Sequence, residues 1–537
     1  MRNASKTALA LALAATAGCS DFLSGPGIDT NPNAPNVLTR PGPLYIGAQG
    51  AQVVQFEGQL ARNAAMYAQQ VAGSSRQQVG FDRGQSAPSD IDTYFNAVYG
   101  STRTVTGGGG LLDIKKMQQL ARSLGDSTYL GIGKVYEGLV MGYAASIWGD
   151  IPYREAADST NLTPAYDPQL QVYADVLAQL DSGINVFLPA AGPSNLGPNQ
   201  DGAELVYAGR ATAGLRAVYT EVAHSLKARY YMHLAETDAS NYALALAEVG
   251  PPGVDNGGPG ISSPANDFLW FHDNSPNGAN IWHQFSFNRG DISPGAALVE
   301  ILKRRIADGV EDDARLLFYF VPADPDADGT PDDFFGFRPG AAAGLQTTGG
   351  IYDGSGSPEG NFSFFGPIID GNPGGSTDFR TPLITWAETQ LIGAEAALAT
   401  GNAGLAQQYL DAVRANRTFG IFEGSPVSFP ALGSVPATLQ SIIEEKYVTL
   451  FLNPEVWNDY KRTCLPALAP APQANSSVPG TSPIPGRMPY GQTEINANSN
   501  SPSVSSAGGP ITSTSQNPND PTACPVLNYT SSTPLAN

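Results

Sequence analysis

A nine-residue corner between two long apolar stretches constrains the fold of this chain most. The corner reads WGDIPYREA and covers residues 148–156. Gly149 and Pro152 stop the helix that precedes it, because glycine commonly follows a helix end and proline disfavours helical backbone at the residue before it. The sequence therefore predicts two antiparallel helices that meet here. Trp148 should be buried beside the turn, with its indole N–H on a carbonyl oxygen.

Many other stretches repeat apolar residues at the three- and four-residue spacing of one helix face. This spacing predicts helices over 44–71, 111–124, 129–148, 166–188, 205–235, 239–249, 294–307, 386–400, 403–416 and 439–452. The pair over 386–416 resembles a tetratricopeptide unit, although no clean 34-residue period runs through the chain. We expect a mainly α fold in which tetratricopeptide-like helical hairpins form a scaffold, with long loop-rich insertions and little β-structure.

Three motifs in this scaffold resemble those of the SusD/RagB family of outer-membrane nutrient-binding lipoproteins. They are WGDIPYREA over 148–156, EKYVTLFLNPEVWNDYKRT over 445–463 and IPGRMPYGQTE over 484–494. The resemblance spans about 19–500. It implies one helical domain over 44–500, with a loop-rich, ligand-facing insertion at about 250–379. It also implies a protein that captures glycans for a SusC-like TonB-dependent outer-membrane transporter and catalyses no reaction.

The N-terminus has the order of charges and apolar residues that is typical of a signal peptide. A basic start, a short apolar run and small residues precede Cys19, and the run is too short for a membrane span. We expect a signal peptide over 1–18, lipidation of Cys19 and a tether over 19–43, which would place the protein on the outer membrane facing the cell exterior. An ordinary secretory signal with a chance cysteine is the alternative. The Ser-, Asn- and Pro-rich segment over 501–537 lies beyond the resemblance.

The charge and the cysteines narrow the possible partners. A net charge of −20 argues against nucleic acid, whose phosphates bind Lys and Arg. The chain has three cysteines and contains no CxxC or HExxH motif, so a zinc or redox centre is not supported. Cys464 and Cys524 are a natural disulfide pair in an oxidising compartment, and two unpaired thiols are the alternative.

Aromatic and polar residues are mixed in two runs within the loop-rich region. A flat ring can cover the C–H face of a sugar while amides and carboxylates bind its hydroxyls. On this basis the candidate ligand-binding residues are Trp270, Phe271, Asp273, Asn274, Trp282 and Gln284. The alternative is that both tryptophans pack loop against helix, since aromatic side chains are more often buried than ligand-facing.

A dense acidic run in the same region has the spacing of a calcium loop. Oxygen ligands at alternate positions around a glycine turn are what Ca²⁺ prefers. The candidate ligands are Asp324, Asp326, Asp328, Thr330, Asp332 and Asp333. Phe335 stands where an EF-hand has its bidentate glutamate, so the run is closer to the DxDxDG loops of extracellular modules. Such a Ca²⁺ would be structural, and a solvated acidic turn without metal is the alternative.

Three other functions stay open beside glycan binding. A peptide-binding member of the same family would share every motif above. An extracytoplasmic glycan-processing enzyme would need a placed pair of carboxylates or an activated nucleophile, and the sequence singles out neither. A helical-repeat adaptor would bind proteins only.

Overall fold

Helices dominate the computed structural model of this protein. The structure describes residues 38–100, 108–158, 160–190, 197–275, 278–283, 285, 291–307, 313–322, 334–337, 339, 364–366, 377–468, 484–502 and 524. The described residues from Gly42 onward belong to one compact unit. The expected mainly α fold with little β-structure is confirmed.

The first half of the chain folds into consecutive helices that pack on one another. They are α1 (Gly42–Glu57), α2 (Gln59–Tyr67), α3 (Arg76–Asp82), α4 (Pro88–Tyr99), α5 (Leu111–Leu124), α6 (Ser127–Trp148), α7 (Gln169–Ser182), α8 (Thr212–Leu234) and α9 (Ser240–Val249). Helix α5 packs on α6, α6 on α7 and α8 on α9. Neighbours in sequence are therefore neighbours in space, as the hairpin prediction requires.

The second half adds further helices, and short strands occur in both halves. The helices are α10 (Ala296–Ala307), α11 (Arg315–Tyr319), α12 (Trp386–Ala399), α13 (Ala403–Ala415), α14 (Leu439–Thr449), α15 (Glu455–Thr463) and α16 (Gln492–Ala497). The strands are β1 (Val71–Gly73), β2 (Phe268–Leu269), β3 (Ile292–Pro294), β4 (Phe320–Val321), β5 (Phe364–Phe365), β6 (Pro382–Ile384), β7 (Arg417–Phe422) and β8 (Ser425–Phe429). They pair antiparallel as β1–β3, β2–β6, β4–β5 and β7–β8.

The single helix predicted over 44–71 was wrong, because the chain breaks at Gly58 into α1 and α2. A β-carbon on Gly58 would lie 2.2 Å from the carbonyl oxygen of Val54 and 2.8 Å from the ring of Tyr94. Only glycine fits such a close approach of chain to chain. The break ends α1 at Glu57, a residue that is important for the candidate site below.

The corner at 148–156 has the predicted geometry. Trp148 is fully buried, and its indole Nε1 donates to the carbonyl oxygen of Pro489 at 2.9 Å. Gly149 ends α6 with a φ of 81°, a conformation that glycine adopts without steric cost. The carboxylate of Asp150 then accepts the backbone N–H of Gln169 at 2.8 Å, at the start of α7. Hydrogen bonds at both ends of the turn therefore fix α6 and α7 in position.

The three family-like motifs meet in one buried region. The indole of Trp457 in α15 donates to the carbonyl oxygen of Pro485 at 2.8 Å, four residues before the carbonyl that Trp148 binds. Lys461 lies over the Trp457 ring at 4.3 Å and donates to the carbonyl oxygen of Ser146 at 2.7 Å. The closing stretch over 484–490 is therefore held between α6 and α15.

A buried ion network connects helices that are distant in sequence. Arg229 of α8 pairs with Glu388 of α12 at 2.7 Å, and Glu455 of α15 accepts from His233 of α8 at 2.6 Å. Burial alone would raise the pKa of Glu455, but His233 and Arg229 hold it well below its usual range. Removing one member of a buried ion pair typically costs about 3–5 kcal/mol of stability, because burial makes a partner-deficient charge unfavourable.

Candidate functional site

The two loop tryptophans predicted to face a ligand are both buried. Trp270 is 5% exposed and Trp282 is 1% exposed. The backbone N–H of Trp270 donates to the carbonyl oxygen of Thr381 at 2.8 Å, next to the β2–β6 pair. Their positions match the alternative stated above, in which these rings pack the loops against the body.

A single carboxylate at the end of α1 holds both loop runs in place. Glu57 is fully buried and accepts Nε2 of His272 at 2.8 Å from the first run. It also accepts the backbone N–H of Ile281 at 3.1 Å from the second run. Helix α1 therefore fixes the position of both runs relative to the helical body.

The environment of His272 favours the charged imidazolium. Its Nδ1 lies 2.8 Å from the carbonyl oxygen of Gly278, and its Nε2 faces the Glu57 carboxylate. Both ring nitrogens must donate to satisfy these acceptors, which only the doubly protonated ring can do. Burial by itself lowers the pKa of His272, but the Glu57 charge and the two hydrogen bonds outweigh that effect and raise it.

Burial of Trp270 places the next ring on the open side of the loop. Successive side chains in extended chain point to opposite faces, so Phe271 is partly exposed where Trp270 is not. The guanidinium of Arg380 lies 4.8 Å from the centroid of the Phe271 ring. We define the Phe271 platform as Phe271, Asp273, Asn274, Asp378 and Arg380.

Hydrogen bonds order the polar residues of the platform. The Oγ1 hydroxyl of Thr377 donates to Oδ1 of Asn274 at 2.6 Å, which joins the two loop segments. Asp273 accepts the backbone N–H of Ser275 at 2.8 Å, and bonds from Ser275 lower the pKa of Asp273. Asp378 accepts the backbone N–H of Glu423 at 3.2 Å. These backbone hydrogen bonds orient both carboxylates.

The β7–β8 hairpin supports the platform from below. The backbone N–H of Arg380 donates to the carbonyl oxygen of Ile421 at 2.8 Å. Phe379 is buried and stacks on Phe419 with ring centroids 5.5 Å apart. Gly420, at a φ of 65°, permits this approach, since a β-carbon there would lie 2.6 Å from the Arg380 carbonyl oxygen.

The platform combines predicted residues with two that sequence reasoning missed. Phe271, Asp273 and Asn274 belong to the predicted set, whereas Asp378 and Arg380 lie more than 100 positions later. The sequence signal for the missed pair was weak, because a charged residue in a loop is ordinarily only solvated. A partly exposed ring can cover an apolar sugar face, while neighbouring polar side chains bind the hydroxyls at the edge of the sugar.

Several predicted residues lie outside the described part of the chain. They are Gln284, Asp324, Asp326, Asp328, Thr330, Asp332, Asp333 and Cys19. Among the described residues, no group of three or more His, Cys, Asp or Glu side chains is placed to hold a metal ion. Cys464 and Cys524 form a disulfide with Cα atoms 5.1 Å apart, beside the buried Tyr460.

A concave surface lies at the junction of α6, α7, α8 and α15. It is an open pocket with an empty volume of about 390 Å³, and its lining is mostly polar. Tyr173, His233 and Lys461 line it. Each already has a hydrogen-bond partner in the motif core, by which we mean the buried region where the three family-like motifs meet: Tyr173 bonds to His233 at 2.9 Å, and Lys461 bonds to Ser146. We therefore assign this pocket to the packing of the motifs.

No helix within the described residues is both long and apolar enough to cross a membrane. A body of helical hairpins thus carries a loop surface with a partly exposed ring. Comparison with known families identifies the family of this protein. A SusD-like family model, described as starch-binding and associating with the outer membrane, matches residues 48–491. The chain therefore belongs to the SusD-like family, whose members are binding proteins.

Solved structures of this family share the fold at low sequence identity. A SusD/RagB family protein from Bacteroides thetaiotaomicron is 17% identical with a TM-score of 0.61, and the match covers 89% of this chain and 97% of that one. A chitin-binding SusD homolog from Flavobacterium johnsoniae is 19% identical with a TM-score of 0.59, over 90% and 98% of the two chains. A SusD homolog from Bacteroides fragilis is 15% identical with a TM-score of 0.61, over 85% and 94%. No curated protein sequence matches this chain.

Proposed function

We propose that this protein is a cell-surface lipoprotein that binds glycans and delivers them to a SusC-like TonB-dependent outer-membrane transporter. Family membership supports a binding role at the outer membrane. Two structural neighbours are described as chitin-binding, which favours a saccharide as the ligand. The observation that carries the proposal is the Phe271 platform, where a partly exposed ring lies beside the guanidinium of Arg380 in a loop that also carries the exposed Asn274.

The ring of Phe271 gives the sharpest test of glycan binding. A sugar that covers about 60 Å² of this ring gains about 1.5 kcal/mol, which is about tenfold in Kd. Phe271→Ala should weaken binding by about that factor in titrations against chitin, starch and xylan oligosaccharides. Phe271→Tyr keeps the ring and should retain affinity. Tyr231→Ala removes a partly exposed ring on α8 and should have no effect.

Each outcome separates the proposal from its alternatives. Retained glycan affinity in Phe271→Ala, with specific binding in the unaltered protein, would remove the platform as the site. Shortening of the oligosaccharides during incubation with pure protein would favour the glycan-processing enzyme. Binding of peptides in place of every glycan would favour the peptide-binding member of the family.

The delivery step has a separate test in the native membrane. A tagged form of the full chain should co-purify a TonB-dependent transporter after mild detergent extraction. Phe271→Ala should co-purify it equally well, because the platform is assigned to the glycan and has no part in the assembly. Absence of any transporter from the eluate, with glycan binding intact, would contradict delivery while leaving glycan binding standing.

A further inference from the structure

The carbonyl oxygen of Gly278 accepts two donors from the loop that carries the Phe271 platform. Nδ1 of His272 lies 2.8 Å from this oxygen, and the backbone N–H of Asp273 donates to it at 3.1 Å. The backbone N–H of Gly278 in turn donates to the carbonyl oxygen of Ser275 at 3.1 Å. These bonds hold the chain on both sides of Asn274, a platform residue.

The other ring nitrogen of His272 connects this loop to the helical body. Nε2 lies 2.8 Å from Oε1 of Glu57, at the end of α1. Nδ2 of Asn280 lies 3.5 Å from the same oxygen and donates to the carbonyl oxygen of Phe379 at 2.8 Å, one residue before Arg380. The imidazole of His272 is therefore the link between α1 and the loop that orders the platform.

Loss of one proton from the ring breaks this link on one side. The charged groups that act on the imidazole are Glu57 of α1, Arg380 and the neighbouring Asp273. A neutral imidazole carries a single N–H, and that proton stays on Nε2, because a carboxylate is a stronger acceptor than a carbonyl oxygen. Nδ1 then presents a lone pair to the carbonyl oxygen of Gly278, so the bond between them is lost.

We propose that the doubly protonated ring of His272 holds the Phe271 platform in the form that binds glycans, and that Glu57 is the positioning residue that keeps the ring in this state. The inference rests on the proposed glycan-binding function and adds control by a proton to the same site. A ligand that prefers the protonated form binds less tightly as that proton is lost, by up to about tenfold per pH unit for a single proton.

The direction of the pH effect follows from the surroundings of the ring. Burial lowers the pKa of His272, but the charge of Glu57 and the two hydrogen bonds outweigh burial and raise the pKa above its usual value of 6.5. Glycan affinity should therefore be complete at acidic pH and should fall as pH rises through the folded pKa of His272. Bonds from Ser275 lower the pKa of Asp273, so that carboxylate stays ionised throughout this window.

Three variants separate the proton from the structure. Glu57→Gln removes the charge that favours the imidazolium but keeps an oxygen that can accept the Nε2 proton, so the affinity should begin to fall at a lower pH. His272→Gln replaces the ring by a side chain that does not titrate, and its affinity should not change with pH. His224→Gln is the matched control, because Nδ1 of His224 also faces a glutamate, Glu248, but that pair connects α8 to α9.

The experiment follows affinity and proton uptake together. Chitin, starch and unsubstituted xylan oligosaccharides, which carry no titrating group, are titrated against the full chain from about pH 5.5 to about pH 9.5. Calorimetry in buffers of different ionisation enthalpy counts the protons taken up on binding at the alkaline end. We expect up to about one proton for the unaltered protein and for His224→Gln, and none for His272→Gln. Circular dichroism checks that each variant is folded, and the unaltered protein by itself tests the pH dependence should a variant fail to fold.

The possible results separate this inference from the proposed function. Glycan affinity that is independent of pH in the unaltered protein would overturn proton control and leave glycan binding standing. Proton uptake that persists in His272→Gln would also overturn it, because another group would then be titrating. An unshifted pH profile in Glu57→Gln would overturn the role of Glu57. Failure to bind any of the glycans at any pH would remove the proposed function, and the inference with it.

Discussion

The closing stretch over 484–490 should be the element that couples the two halves of the motif core. Trp148 and Trp457 each donate an indole N–H to it, at Pro489 and Pro485. Trp148→Phe or Trp457→Phe removes one hydrogen bond, worth about 1 kcal/mol, and leaves a carbonyl unpaired at a further cost of about 1–3 kcal/mol. Each single variant should therefore lose about 2–4 kcal/mol of unfolding free energy.

The double variant should lose less than the sum of the two single losses. Once one indole bond is absent, the stretch between them is already free to move, so removing the second bond forfeits less. Side chains in one network commonly show a coupling energy of about 0.5–3 kcal/mol. Trp386 supplies a matched control, because it is equally buried but donates to the carbonyl oxygen of Gly253, in another segment.

Urea unfolding followed by circular dichroism measures these losses, since it does not depend on the tryptophans that are being removed. We expect a coupling of about 1 kcal/mol or more between Trp148→Phe and Trp457→Phe. Between Trp148→Phe and Trp386→Phe we expect additivity within about 0.5 kcal/mol. Additive losses for the first pair would refute the view that one stretch holds both helices.

Four further predictions follow from single features of the chain. The folded-state pKa of His272 is raised, so its contribution to stability is present below its unfolded pKa of about 6.5 and is lost as pH rises through the folded value. Glu57→Gln should flatten the pH dependence of the unfolding free energy over that window. Equal slopes of unfolding free energy against pH in the variant and the unaltered protein would contradict this. Cys464→Ala should lower the unfolding free energy by up to about 4 kcal/mol, because the disulfide closes a loop of 60 residues. An unchanged unfolding free energy would show that the bond does not constrain the unfolded chain. Cys19→Ser should move the protein from the membrane fraction to the soluble fraction, and unchanged retention would defeat lipidation. A chelator should lower the melting midpoint if the Asp324 loop binds Ca²⁺, whereas an identical midpoint would count against that site.

The helical body was predictable because its signals are local. A three- to four-residue apolar period, a glycine at a helix end and a proline after it each act within one turn. The corner at Trp148 and Gly149 was read correctly for this reason. Gly58 shows the limit of such local signals. A side chain at this position would collide with the ring of Tyr94 as well as with Val54, and no local pattern reveals the approach of Tyr94.

The β7–β8 hairpin was missed although it carries a local signal. Its two turn residues are Glu423 and Gly424, with φ values of 49° and 72°, the pair of positive angles that a type I′ turn requires. An X-Gly pair between two runs rich in aromatic and β-branched residues indicates such a hairpin. The long-range ion pair between Arg229 and Glu388 had no comparable signal, because the partners are 159 positions apart.

The loop residues show that composition indicates an aromatic polar loop without indicating which of its rings are buried. Such a loop indicated a ligand surface, and Trp270, Phe271 and Trp282 were all assigned to it. In the structure the two tryptophan rings supply the apolar surface that fixes the loop, and the alternation of extended chain then turns the smaller Phe271 outward. Burial of Trp270 and exposure of Phe271 are thus one feature of the chain. The same alternation brings His272 back inward to Glu57, so a buried carboxylate holds the residue that follows the partly exposed ring.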